Sequence, residues 1–196
     1  MIWNSCGMEK ALPTLESTKV LLRLACLDDV PEIIHYYTDN KVHLAPFEPL
    51  RFSDFYTESY WCKQVQEALA DFNTDRSLRL FLFEKENDSV IIGSINFRNF
   101  VRGVFQSCTL GYNLAEAFQG KGYMTEALEV SISYVFTELK MHRIMASYLP
   151  HNQRSGRLLK RLGFVVEGYA RDYLLINGQW QDHILTSLIN PQWELA

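Results

Sequence analysis

The sequence contains few cysteines, and none of the four belongs to a C-x-x-C pair: they are Cys6, Cys26, Cys62 and Cys108. Closely spaced cysteines are the usual ligands of structural zinc, and disulfide frameworks stabilise chains too small to form a sufficient core. A chain of 196 residues with isolated cysteines meets neither condition. We therefore predict free thiols, a reducing compartment and no metal site.

Long hydrophobic runs are also absent. The first twenty residues contain no basic segment followed by an uninterrupted apolar one, as a secretory signal would. No stretch elsewhere approaches the roughly 18 apolar residues that a membrane-spanning helix needs. The sequence thus predicts a soluble, cytoplasmic protein without a membrane partner.

The sequence has no excess of positive charge. It contains 19 lysines and arginines against 23 aspartates and glutamates, for a formal net charge of −4. A dedicated nucleic-acid-binding domain would carry a basic surface or a recognisable motif, and we find no such motif. Because 47% hydrophobic residues suffice for one sizeable core, we expect a tail over residues 1–17 and a single domain over residues 18–190.

Alternation, helical periodicity and turn residues divide the chain into elements. Strand patterns cover residues 19–25, 78–84, 90–100, 106–114 and 142–148, then 164–170 and a hairpin of 173–176 with 180–188 around Asn177-Gly178. Helical patterns cover residues 29–40, 53–72, about four turns from 124, and 152–162, whereas residues 41–50 are predicted to be loop. With the last three strand ranges counted as two strands, this order predicts an α/β (α+β) fold with a mixed, mostly antiparallel sheet of seven strands and about four helices on both faces.

The segment QGKGYM, residues 119–124, places two glycines at the start of the third predicted helix. The first amides of a helix lack intrahelical partners and attract anions, and glycine lets a phosphate approach them closely. The spacing does not fit a Walker A loop, and Thr125 stands where a dinucleotide fingerprint has its third glycine. The segment therefore indicates an anion site, with a plain turn as the alternative interpretation.

A second segment, residues 150–164, carries four basic residues within eight positions: Arg154, Arg157, Lys160 and Arg161. On a helix three of them share one face. A solvated surface is the usual role of such a charge run. Together with the glycine-containing turn, the run favours an extended phosphorylated ligand, with Arg157 among its contacts.

The stretches LGYNLAEAFQGKGYMTEAL and HNQRSGRLLKRLGFVVEG resemble the motifs of the GNAT family of N-acetyltransferases, and the resemblance extends over residues 19–188. Within that family the chain looks like the RimJ group of ribosomal-protein-alanine N-acetyltransferases. The resemblance implies acetyl-CoA as cosubstrate, with its pantetheine arm held by Asn152 and lying along the strand that ends at Asn113 and Leu114. It also implies that the pyrophosphate binds the amides of one continuous segment: Gln119, Gly120, Lys121, Gly122, Tyr123 and Met124.

Two positions depart from the family pattern. Ala117 replaces the first residue of the Q/R-x-x-G-x-G/A motif, although Gln119 precedes the first glycine. Leu159 replaces the tyrosine that protonates the leaving thiolate in many relatives. We therefore predict Ser155 as the general acid, with helix capping as its alternative role.

Asp172 is the predicted general base, because related ribosomal-protein acetyltransferases carry a carboxylate at this place. A turn or hydrogen-bonding role is equally compatible with its position. A chain-terminal amine has a pKa of about 7.7 to 8.0, so a weak base acting through one water suffices. Backbone N–H groups near Leu114 are expected to bind the oxyanion. Tyr112 is interpreted as a sheet residue and Glu48 as a loop residue, with contact to a cationic peptide as the weaker alternative for Glu48.

We expect the acceptor to be the N-terminal α-amino group of a protein, most specifically the N-terminal alanine of a small-subunit ribosomal protein. The ribosome or an assembly intermediate is a further expected partner, and the protein is expected to be a monomer or weak dimer. Two alternatives stay open. One is an acetyltransferase for a polyamine, an amino sugar or an antibiotic amine. The other is a ribosome-assembly or regulatory binding protein with secondary catalysis, which the leucine at position 159 motivates.

Overall fold

The computed structural model describes residues 11–194, which form one mixed sheet and five α-helices. The strands are β1 Thr14–Glu16, β2 Val20–Arg23, β3 Leu78–Glu84, β4 Asn87–Val101, β5 Ser107–Leu114, β6 Arg143–Tyr148, β7 Val165–Ile176 and β8 Gln179–Ile189. The helices are α1 Val30–Asp39, α2 Lys41–Leu44, α3 Glu58–Asn73, α4 Tyr123–Thr137 and α5 Gln153–Arg161. The predicted fold class, an α/β chain with a mostly antiparallel mixed sheet, is confirmed.

The sheet has eight strands in the order β1-β2-β3-β4-β5-β6-β8-β7, so the predicted number of seven is wrong by one. The additional strand is β1, which pairs antiparallel with β2 and lies within the predicted tail, residues 1–17. Three residues are too few to show an alternating pattern, and β1 exists because β2 offers a free edge for pairing. Residues 1–10 of that tail, with Cys6, lie outside the described residues, and the boundary at residue 18 stays a prediction.

The C-terminal hairpin differs from its prediction in one respect. The predicted strands at residues 164–170 and 173–176 form the single strand β7, which is interrupted by a bulge between Ala170 and Leu174. Asp172 lies in this bulge with a φ of 46°. The turn after β7 has positive φ at both Asn177 and Gly178, as a type I′ turn requires, so the predicted turn is confirmed.

Two helix predictions need correction. The second long helix, α3, begins at Glu58 rather than Ser53, because the hydroxyl of Thr57 caps it by accepting the N–H of Tyr60. The residues before it, Ser53–Tyr56, form a 3-10 turn. The predicted loop over residues 41–50 contains the short helix α2, which raises the number of helices from about four to five.

Two apolar clusters cover the two faces of the sheet. On β3, Leu80 and Leu82 belong to the cluster under α4 and α5, whereas Phe81 and Phe83 belong to the cluster under α1 and α3. Successive side chains of a strand point to opposite faces, so this alternation places helices on both sides. Each face of the central strands is therefore buried by its own pair of helices.

β5 and β6 are neighbours that pair only over part of their length. Their parallel ladder joins Ser107–Leu110 to residues 143–146, from Ser107 opposite Arg143 to Leu110 opposite Ala146. Beyond it, β5 continues along β4 as far as Leu114 and β6 continues along β8 as far as Tyr148. We call the space between these two continuing ends the slot, because in the described part of the chain no ladder closes it.

Residues 11–194 contain no cluster of three or more His, Cys, Asp or Glu side chains suited to a metal ion. Within the same residues, no helix is long and apolar enough to cross a membrane. Cys26, Cys62 and Cys108 are free thiols. Burial raises the pKa of the Cys108 thiol to about 12, so this thiol stays protonated near neutral pH.

The central strand β4 contributes several buried side chains to the core, so a cavity there should lower the free energy of unfolding. Ile95 is fully buried, so Ile95→Ala is expected to lower the free energy of unfolding by about 2 to 5 kcal/mol. Val42→Ala on α2 serves as the control, because Val42 is 87% exposed and its change should stay within about 0.5 kcal/mol. Urea unfolding measures both, and equal effects of the two changes would contradict this assignment of the core.

Candidate active site

The turn before α4 has the backbone that an anion site needs. Gly120 and Gly122 have φ values of 75° and 89°, in the left-handed region, and Gly122 is the N-cap of α4. A side chain at either position would strain the backbone, so glycine is required here for conformation as well as for close approach. The turn leads into the N-terminal amides of a 15-residue helix, where the helix dipole favours negative charge.

Two ammonium groups lie beside this turn. The Nζ of Lys19 donates to the carbonyl of Lys121 at 2.9 Å and forms an ion pair with Glu126 at 3.4 Å. The Nζ of Lys121 lies 5.6 Å from the centre of the Phe118 ring. Lys121 was predicted from the sequence and Lys19 was not, because Lys19 reaches the turn from the connection between β1 and β2, about one hundred residues away in the chain.

The other predicted cofactor residues of this segment direct their side chains elsewhere. The amide of Gln119 contacts His43 of α2 at 2.7 Å, and the hydroxyl of Tyr123 donates to Glu84 of β3 at 2.6 Å. The side chain of Met124 is buried in the core. The backbone N–H of Gln119 also donates within the protein, to the carbonyl of Glu116 at 3.1 Å. The contact of these three residues with the pyrophosphate stays a prediction.

The start of α5 borders the slot across from the end of β5. The Oδ1 of Asn152 accepts the N–H of Ser155 at 3.1 Å and so caps the helix. A Cβ on Gly156 would lie 2.8 Å from the ring of Tyr148, so glycine lets the first turn of α5 pack directly on the end of β6. The basic residues of α5 are exposed, and Arg157 donates to Oε1 of Gln153 at 3.4 Å.

A phenol lies beside Ser155 although the family tyrosine is absent. The hydroxyl of Tyr112, on β5, is 2.7 Å from the hydroxyl of Ser155, and this contact spans the slot from β5 to α5. Burial raises the pKa of Tyr112 to about 12, and the hydrogen bond with Ser155 partly opposes that shift. The pair is therefore fully protonated near neutral pH. Leu159, at the usual tyrosine position, is 1% exposed and belongs to the core.

Asn113 follows Tyr112 directly, and its side chain lies on the other face of β5. Its Oδ1 accepts hydrogen bonds from the hydroxyl of Tyr36 at 3.0 Å and from the N–H and hydroxyl of Ser94 at 3.1 and 2.9 Å. Its Nδ2 donates to Oε1 of Glu48 at 2.6 Å. The amide of Asn113 is thus engaged on both sides, which leaves its predicted contact with the cofactor to the backbone.

Glu48 lies much closer to the slot than a loop position suggests. Its side chain is 14% exposed, and its Oε2 accepts from Nε and Nη2 of Arg51 at 3.3 and 3.1 Å. Its backbone carbonyl accepts the N–H of Asn177 at 2.9 Å, which joins the α2–α3 connection to the turn of the β7–β8 hairpin. Glu48 and Arg51 help to line a cavity of about 140 Å³ between these two segments.

Asp172 lies in the exposed bulge of β7. Its N–H donates to Oδ1 of Asp182 at 2.9 Å, and Asp182 also accepts the hydroxyl of Tyr169. Within residues 11–194 no hydrogen bond or ion pair is recorded for the carboxylate of Asp172 itself. The structure therefore joins Ser155 to Tyr112 and Asn113 to Glu48, and it records no contact between Ser155 and Asp172.

From the sequence, Tyr112 was interpreted as a sheet residue and Glu48 as a loop residue, and their contacts with Ser155 and Asn113 were not predicted. Alternation along β5 offered a signal for Tyr112, because residues 110, 112 and 114 share the face that α4 and α5 cover. Glu48 had no such signal. Its role depends on Asn113, 65 residues later, and loop positions carry no periodicity that would indicate what they contact.

The buried phenol of Tyr112 makes stability depend on pH. An unfolded tyrosine has a pKa of about 10, so between pH 10 and 12 the unfolded state loses this proton while the folded state keeps it. Stability therefore falls as pH rises through this window, by at most about 1.4 kcal/mol per pH unit for one group. Tyr112→Phe removes this contribution.

Urea unfolding at pH 9, 10 and 11 tests this prediction. The stability advantage of the wild type over Tyr112→Phe should shrink by about 1 kcal/mol from pH 9 to pH 11. Other buried tyrosines are common to both proteins, so their titration cancels in the difference. Parallel stability curves would show that the folded state does not hold this proton.

Comparison with known proteins agrees with this geometry. Residues 19–165 match the family profile described as acetyltransferase (GNAT) domain. The chain is 44% identical over 179 residues to the [ribosomal protein uS5]-alanine N-acetyltransferase of Escherichia coli K12, covering 91% of this chain and 92% of that protein.

Solved structures show the same fold. The ribosomal-protein-S5-alanine acetyltransferase from Vibrio fischeri superposes with a TM-score of 0.89 at 37% identity, covering 93% of this chain and all of that one. Mycobacterium smegmatis RimJ, solved in complex with CoA-disulfide, superposes with a TM-score of 0.82 at 27% identity, covering 95% of this chain and 92% of that one. The predicted resemblance is confirmed, and the chain belongs to the GNAT family of acetyltransferases, which use acetyl-CoA.

Proposed function

We propose that this protein transfers the acetyl group of acetyl-CoA to the N-terminal α-amino group of a protein, and that the acceptor is an alanine at the N-terminus of a small-subunit ribosomal protein. The observation that carries the proposal is the 44% identity to the E. coli uS5-alanine N-acetyltransferase, which extends over more than nine-tenths of both chains. A likeness of this extent includes both borders of the slot as well as the glycine turn before α4.

The anion-binding turn fits the pyrophosphate of acetyl-CoA. It combines left-handed glycines, the N-terminal amides of α4 and the ammonium groups of Lys19 and Lys121. Gly120–Met124 would hold the phosphates through their backbone N–H groups, and Gln119, whose own N–H donates to Glu116, would flank them. Asn113, Leu114 and Asn152 would border the pantetheine arm. When bound, acetyl-CoA supplies the thioester that is cleaved, and Arg157 lies on an exposed helix face suited to a further phosphate contact.

Two proton transfers complete the reaction. The acceptor α-amine has a pKa of about 7.7 to 8.0, so a large fraction is already neutral near physiological pH. Asp172 is the proposed base, and its exposed carboxylate supports action through water. Ser155 is the proposed acid for the leaving thiolate, and the hydroxyl of Tyr112 lies in position to return a proton to it. Backbone N–H groups near Leu114 are proposed to bind the oxyanion.

The proposed location is the cytoplasm, and the ribosome or an assembly intermediate is the proposed larger partner. The monomeric or weakly dimeric state stays a prediction.

Acetylation of short peptides tests the acceptor. With acetyl-CoA, mass spectrometry should find one added acetyl group on an alanine-starting peptide and none on the same peptide blocked at its N-terminus. Spermidine, supplied at the same concentration, should be a poor acceptor. Product from spermidine alone would favour a small-molecule acetyltransferase, and absence of product from every amine would favour a binding protein.

Ser155→Ala tests the proposed acid. The change should lower kcat by roughly 100-fold while the KM for acetyl-CoA stays within about twofold, because general acid catalysis contributes about 10² to 10⁴. Ser133→Ala on the exposed face of α4 is the matched control and should behave as wild type. A Ser155→Ala variant with wild-type kcat would remove Ser155 from the mechanism.

A further inference from the structure

The side chain of Glu48 is held in one orientation by a chain of buried groups. Ser94 is 1% exposed, and its N–H needs an acceptor, which Oδ1 of Asn113 supplies at 3.1 Å. The hydroxyls of Ser94 and Tyr36 donate to the same oxygen. Because three donors surround Oδ1, the NH2 end of the Asn113 amide must point the other way, toward Glu48. This orientation follows from the network alone.

The carboxylate of Glu48 keeps capacity for one more donor. Arg51 contacts only Oε2, and its guanidinium is itself stacked 4.3 Å from the centre of the Phe55 ring. Oε1 accepts one hydrogen bond, from Asn113, and a carboxylate oxygen can accept two. The group is therefore a carboxylate held in place with one unused acceptor position, and Glu48 is among the residues that line the cavity.

Glu48 and Ser155 approach the slot from opposite faces of the sheet. Tyr112 and Asn113 are consecutive on β5, so their side chains point to opposite faces. Tyr112 contacts Ser155 on the face that α4 and α5 cover, and Asn113 contacts Glu48 on the face that α1 covers. Because the β5–β6 ladder ends at Leu110, both side chains lie on the part of β5 that borders the slot.

The cavity at Glu48 has the size of a small chain terminus. Its volume of about 140 Å³ is close to that of a cavity that holds one benzene molecule, about 150 Å³, so a group of five or six non-hydrogen atoms fits. An alanine residue has a similar number of non-hydrogen atoms. Lys41 also borders the cavity, and its ammonium lies over the ring of Tyr56 at 4.9 Å. The one carboxylate among the residues that line it is that of Glu48.

We infer that Glu48 binds the N-terminal ammonium of the acceptor peptide before transfer and so selects a free α-amine, an inference that rests on the proposed function. Oε1 accepts an N–H of the ammonium, and Asn113 and Arg51 fix the carboxylate in place. The cavity admits the small first side chain, and the hydrogen bond between Glu48 and Asn113 connects its lining to the part of β5 that borders the slot. Asp172 differs from Glu48 in exposure and in partners. Its carboxylate is exposed, and within residues 11–194 no hydrogen bond or ion pair holds it.

A pair of peptides that differ only in the ammonium tests this inference. One begins with alanine, and the other begins with a propanoyl group, which keeps the methyl carbon and lacks the amine. At pH 6.5 the alanine amine is charged, because its pKa is about 7.7 to 8.0. With CoA present, the wild type should bind the alanine peptide at least tenfold more tightly, as measured by calorimetry. Glu48→Gln should bind the two peptides within about twofold of each other.

The controls separate a binding role from a structural one. Glu129→Gln, an exposed acid on α4, should keep the tenfold preference. The Kd for acetyl-CoA and the Tm of Glu48→Gln should match the wild type. If Glu48→Gln fails to fold, Glu48→Asp replaces it. The aspartate side chain is one methylene group shorter, so this change should weaken binding of the alanine peptide by severalfold and leave binding of the propanoyl peptide unchanged.

The outcomes are distinct for the two proposals. A Glu48 variant that keeps the full preference would overturn the inference, as would a wild type that acetylates the alanine peptide and shows no preference for its ammonium. Loss of the preference in Asp172→Asn, with Glu48→Gln unaffected, would assign amine binding to Asp172. A wild type that acetylates no alanine-starting peptide would instead refute the proposed function.

Discussion

The separation of β5 from β6 is the constraint on which the candidate active site depends. Their ladder lasts for four residue pairs, after which each strand keeps its partner on the other side, β4 for β5 and β8 for β6. The strands can part at modest cost because each keeps half of its backbone hydrogen bonds. Beyond the ladder, the backbone N–H and C=O groups that face the slot have no strand partner within residues 11–194. Because buried groups of this kind require partners, they are available to a ligand.

The two faces of the sheet give the slot different chemical borders. On one face, the hydroxyls of Tyr112 and Ser155 face each other, and burial keeps the phenol protonated. On the other face, a carboxylate held by an amide and a guanidinium borders a small cavity. The proposed proton donor and the proposed amine-binding group are thereby separated by one strand. A single residue step along β5 separates the two, because successive side chains alternate between faces.

Local signals predicted the elements that carry long patterns. The glycine turn before α4, the short helix α5 and the Asn177-Gly178 hairpin were all predictable, because each depends on residues within a few positions of one another. The failures have equally physical causes. β1 is too short for alternation, and α3 begins five residues late because the Thr57 hydroxyl, not that of Ser53, caps its first turn.

The sequence by itself determined the fold class, the glycine turn before α4 and the family, because glycine placement, helix capping and apolar periodicity act over short distances along the chain. Only the tertiary structure decided which side chains meet at the slot. Lys19 reaches the glycine turn, Tyr112 reaches Ser155, and Glu48 reaches Asn113 across 43 to 102 residues of chain. Such contacts depend on strand register and on where the β5–β6 ladder ends, and both are set by the packing of the whole sheet.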